Sequence, residues 1–90
     1  MPFEDFLLKC KTLVKEYTNG HLDATDSIKI EASQVYIVWC CKTLQNSKAL
    51  LSTTLPDGMY YEITYNGDKD EIYFDAYKKF DNIKINGGSL

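Results

Sequence analysis

Polar chemistry in this sequence is concentrated at Lys42, Thr43, Gln45, Asn46, Ser47 and Lys48. These residues come just after Trp39 and supply two ammonium groups, two hydroxyls and two carboxamides. Such a set beside an aromatic wall suits an anionic or amide-rich ligand. Tyr61 or Tyr73, from the following segments or from a second copy, would close the pocket. Asparagine and serine also favour turns without any ligand, so a plain loop between strands is the competing reading.

A second constellation is carried by strand-like alternation. Tyr60, Glu62, Thr64 and Asn66 share one face of one strand, and Tyr73, Asp75 and Tyr77 share one face of the next. If the hairpin aligns them, tyrosines and carboxylates lie side by side, leaving Met59, Tyr61, Ile63, Tyr65, Ile72, Phe74 and Ala76 for the core. Glu62, Asp68, Asp70, Asp75 and Tyr77 then form an acidic, tyrosine-rich surface suited to a basic protein face. The alternative is that cross-strand tyrosine pairs only stabilise the sheet.

Catalytic signatures are weak. The single histidine, His21, follows a helix end and reads as a solvated residue; Cys41 with His21 as base lacks any supporting motif. Cys40 and Cys41 point to opposite faces of a strand and so do not converge on one metal ion. Glu62 with Asp75 is the remaining acid–base candidate, but strand carboxylates are usually solvated. We expect no enzyme, no metal and no cofactor.

Composition sets the class. Ninety residues, 44% hydrophobic and 26% charged, make one domain that buries about 60 to 65% of the surface exposed by its unfolded chain. The net charge is −3, the pI near 5.0, and the ten basic residues are all lysine and scattered, which argues against duplex DNA as a partner. The longest apolar run, Val35 to Cys41, is far shorter than the roughly 20 residues of a membrane helix. We expect a cytoplasmic protein with no membrane contact and three reduced cysteines. The domain is expected over 1–86, with 87–90 a flexible tail or a cloning remnant.

The elements follow from periodicity. Phe3, Phe6, Leu7, Cys10, Leu13, Val14 and Tyr17 make an amphipathic helix of about four turns, with Asn19-Gly20 as its stop. Ser27 to Glu31 is a candidate short strand. "VYIVWCC" reads as a central strand, apolar on both faces, with Val35, Ile37 and Trp39 on one side and Tyr36, Val38 and Cys40 on the other. "KALLSTTL" reads as the next strand, although "LQNSKALL" would also make a helical turn. "PDG" is a turn, "MYYEITY" and "EIYFDAY" are strands joined by "NGDKD", and "KKFDNIKI" is a candidate last strand. The expected fold class is α+β: an N-terminal amphipathic helix packed on an antiparallel meander of four to five strands. One helix covers one sheet face, so something must shield the other. A homodimer through the sheet is the expected solution.

The stretch Val38 to Phe80 resembles a domain-of-unknown-function family of small proteins encoded by phages and prophages of Gram-positive bacteria. The likeness rests on Trp39, Lys42 to Asn46, Lys48, Ala49, Ser52, Thr53, Asp57, Gly58, Tyr60 to Glu62, Tyr65 to Gly67, Tyr73, Asp75 and Tyr77. It implies a small accessory protein that acts stoichiometrically in the host cell, either by sequestering a small anionic or nucleotide-like ligand or by blocking a host or defence protein. A virion or assembly component is the third class it allows.

Overall fold

Phe6, Cys10, Val14 and Thr18 recur every four positions, which stacks them along one face of a helix. In a computed structural model of the protein, which describes residues 1–22 and 29–89, they are the buried row of helix α1 (Phe3–His21). Phe3, Leu7, Leu13 and Tyr17 flank the row and pack against the same core. Thr18 is the addition that the apolar pattern did not announce. Its hydroxyl donates to the Tyr61 hydroxyl at 3.4 Å, so the polar group within the apolar row has a partner. Glu4 and Asp5 occupy the first turn, where the helix dipole favours them.

The helix runs one residue past Gly20. Asn19, expected to help stop it, instead anchors the connector. Its Nδ2 donates to the Ile30 carbonyl at 3.1 Å, and its Oδ1 accepts from the Ile30 amide at 2.9 Å. The side chain thereby substitutes for a strand neighbour and holds Ile30 in the core. Of the short strand expected at Ser27 to Glu31, Ser27 and Ile28 lie outside the described residues, and Lys29 to Glu31 join no ladder. The Glu31 amide instead donates to Gln34 Oε1 at 2.8 Å, closing a 3-10 turn at Ala32–Gln34.

Four strands follow, β1 (Val35–Thr43), β2 (Asn46–Thr53), β3 (Met59–Asn66) and β4 (Glu71–Lys78), paired antiparallel in chain order. The segment left open between strand and helical turn is the tight turn Leu44–Gln45 followed by β2. Gly58, at φ +70°, serves the turn into β3, and Asp57 Oδ1 accepts from the Met59 amide at 3.0 Å. The sheet closes at four strands, because residues 79–86 form no further strand. Ala49, Leu51, Tyr61, Ile63 and Tyr65 supply the buried sheet face under α1.

Two expectations for β1 are corrected. Ile37 faces Leu51 whereas Trp39 faces Leu50, so Val38 is an extra, bulged residue. The bulge reverses the sense of alternation: Trp39 joins Tyr36 on the face away from the helix, and Cys40 turns toward it. The strand is also an edge strand rather than a central one, because a meander of tight turns leaves its first member at the border. Ala76, expected in the core, is exposed, because the helix rests mainly over β1, β2 and β3 and does not roof this part of β4.

Candidate functional site

The face without a helix collects the aromatic and acidic side chains. The β3–β4 register sets Tyr60 opposite Tyr77, Glu62 opposite Asp75 and Thr64 opposite Tyr73, the alignment on which the tyrosine-rich surface depended. Leu50 faces both Glu62 and Trp39, so the row Trp39, Leu50, Glu62, Asp75 crosses all four strands on this side. Trp39 is 42% exposed, Tyr36 47%, and Tyr73 and Tyr77 52% each. The surface is thus an open aromatic sheet with an acidic centre.

Like charges set directly opposite one another in a sheet cost stability. Lys48 Nζ lies 3.4 Å from Glu62 Oε1 and offsets part of the repulsion. Among the described residues Asp75 has no basic side chain within ion-pair distance. Tyr73 donates to the Glu71 carboxylate, and this bond raises the tyrosine hydroxyl above its usual value, because loss of the proton would set an anion against an anion.

The residues after Trp39 do not converge. Lys42 and Ser47 are opposite partners, as are Cys41 and Lys48, which sends the two lysines to opposite faces. Lys42 and Gln45 line a cavity of about 350 Å³ with Met1, Leu44, Tyr65 and Gly67 on the helix side. Thr43, Asn46 and Lys48 line a separate depression with Cys41, Ser47 and Thr64. Tyr61 is buried beneath the helix and Tyr73 lies on the open face. The candidate ligand set is therefore divided, with Trp39 and Tyr73 belonging to the aromatic face.

Much of the polar cluster is accounted for by a tie between two hairpin ends. Asn46 Oδ1 accepts from the Gly67 amide at 3.3 Å. A side chain at position 67 would begin 2.2 Å from the Gln45 carbonyl oxygen, so only glycine fits this approach. Asn66 Oδ1 accepts from the amides of Asp68 and Lys69 at 3.1 and 3.4 Å and shapes the second turn. Asp70, at φ +52°, accepts from the Tyr65 hydroxyl at 2.8 Å. Asp68 and Asp70 thus belong to the loop beyond the acidic centre, and Asp70 bonds to a tyrosine of the helix side.

The cysteines divide by environment. Cys10 is buried, and burial first, with the nearby Cys40 second, pushes its thiol up to about 12. Cys40 and Cys41 are exposed free thiols on opposite sides of β1. His21 stacks on Tyr17 with ring centroids 4.1 Å apart, and its Nδ1–H donates to the Tyr17 carbonyl at 2.8 Å. Among the described residues no three His, Cys, Asp or Glu side chains are grouped to hold a metal ion, and no helix is long and apolar enough to cross a membrane.

The family of unknown function DUF6275 matches residues 7–87. The chain belongs to that family. No curated protein and no solved structure matches it. The span of the DUF6275 match takes in most of α1, the whole sheet and the segment 79–86 beyond it. That last segment is therefore part of the family's domain.

Proposed function

We propose that this DUF6275 protein is a non-enzymatic binding protein that acts stoichiometrically, through its helix-free sheet face, on a protein partner with a basic and partly apolar surface. The opposed pair Glu62 and Asp75, set among exposed aromatic rings, carries the reading. Aromatic side chains give stiff contact area with polar tips, and an acid pair gains from a cation that a partner brings. The likeness of Val38 to Phe80 to small phage and prophage proteins supports a setting in which the partner belongs to the host or its defences and is met in the cytoplasm.

A second reading rests on the cavity beside Lys42 and Gln45, which would take a small anion at the hairpin ends. Two double variants separate the readings. With each chain immobilised in turn and host extract passed over it, Glu62→Lys with Asp75→Lys loses a stoichiometric partner that Lys42→Ala with Gln45→Ala, confined to the cavity, retains. A bound small molecule lost only from the cavity variant supports the second reading. A partner kept by both variants would place the docking surface elsewhere.

A further inference from the structure

The helix-free face is matched by a segment of the same chain. Residues 79–86 follow β4 with no ladder of their own, and their apolar side chains stand open: Phe80 is 101% exposed, Ile83 71% and Ile85 80%. Leaving three large apolar side chains of one short segment in water is unfavourable, and their burial against another surface is favourable. The segment lies within the family's span, so a role for it is a property of the domain.

Charge and pattern point to the occupant. Lys79 and Lys84 outnumber the single acid Asp81 in the segment, while the centre of the face carries Glu62 and Asp75. Ile83 and Ile85 alternate with Lys84, the pattern of a strand laid along a flat surface. The Lys79 amide donates to the Gly58 carbonyl at 2.7 Å, which extends the β3–β4 pairing by a step and fixes where the arm leaves the sheet.

We infer that residues 79–86 form an arm that docks on the helix-free face of a second copy, in a reciprocal dimer with Lys79 and Lys84 against the partner copy's acidic centre. The inference rests on the reading of this face as a docking surface and adds its resting occupant. A target with a basic surface then competes with the arm. Each copy presents one arm and one face, so a two-fold arrangement satisfies both at once.

The test is sedimentation velocity of the full chain over a dilution series. The wild type sediments as a dimer that dissociates on dilution. Reversing the face, Glu62→Lys with Asp75→Lys, or the arm, Lys79→Glu with Lys84→Glu, weakens association by about a hundredfold. Mixing the two variants restores a dimer, because each face then meets an arm of opposite charge. Ile83→Asp with Ile85→Asp, at exposed positions that leave folding intact, also yields a monomer. A wild type that is monomeric throughout, an arm variant that dimerises normally, or a mixture that stays monomeric overturns the arm exchange. Partner capture that still depends on Glu62 and Asp75 would then leave the docking reading standing. Capture that ignores them, with the charge swap working, would do the reverse.

Discussion

Replacing Gly67 by alanine probes the tie between the two hairpin ends. The new methyl carbon would start 2.2 Å from the Gln45 carbonyl oxygen, 2.7 Å from Gln45 Cβ and 3.0 Å from the Gln45 carbonyl carbon. Two of these obstacles are backbone atoms, so relief requires the hairpins to separate rather than a side chain to rotate. Overpacking of this kind costs about 1 to 3 kcal/mol. Separation also breaks the bond from the Gly67 amide to Asn46 Oδ1, which adds about 1 kcal/mol. The sum, about 2 to 4 kcal/mol, is a large share of the stability of a small domain and lowers Tm by about 10 to 30 °C. Gly20→Ala is the control, because a methyl there meets nothing within 4 Å and lies in α1. It should raise stability by about 0.5 to 1 kcal/mol. Urea unfolding followed by circular dichroism reads both. A Gly67→Ala loss below about 0.5 kcal/mol would refute the tie, since alanine at a free turn position costs no more than that.

Other positions give further outcomes. Cys10 has a native thiol raised from 9.0 to about 12, so its contribution to stability is complete below pH 9 and is lost as pH rises toward 12. Urea titrations across that range should show the decline, with a shallower slope for Cys10→Ala; native-state alkylation at neutral pH should mark Cys41 and spare Cys10. Leu44 is 82% exposed at φ +55°, and Leu44→Gly should stabilise the chain by about 0.5 to 1 kcal/mol in thermal unfolding. Asn19→Ala removes both bonds to Ile30 and should cost about 2 kcal/mol in urea, whereas Lys11→Ala should cost less than about 0.5.

The helix and the β3–β4 hairpin were legible because each keeps one period over its whole length. Phe6, Cys10 and Val14 announce a buried stripe, and Tyr61, Ile63 and Tyr65 announce a buried strand face. The orientation of Trp39 was not legible, because a bulge at Val38 is a feature of pairing with β2 and leaves no mark in the alternation of an apolar run. Apolar residues on both sides of β1 look like a central strand, yet half of them face the open side. The residues after Trp39 drew a ligand reading because their functional groups are dense. Their separation follows from strand alternation across a two-residue turn, which sends Lys42 and Lys48 to opposite faces. The tie from Asn46 to Gly67 spans 21 positions and is set by how two hairpins meet, so neither local sequence discloses it. Asn19 is similar: the Asn-Gly pair signals a helix stop, while its bonds to Ile30 arise only once the connector is placed.

Site-specific photocrosslinking in the cells that express the protein tests the docking face most directly. A photoreactive aromatic residue would replace Trp39 or Tyr73 on the helix-free face, and Leu8, 65% exposed on the outer side of α1, would serve as the comparison position. Beside a self-adduct with a second copy, the account predicts one shared adduct with a different protein from both face positions, lost on adding Glu62→Lys with Asp75→Lys, and none from position 8. The same adduct from position 8 and not from positions 39 and 73 would contradict it.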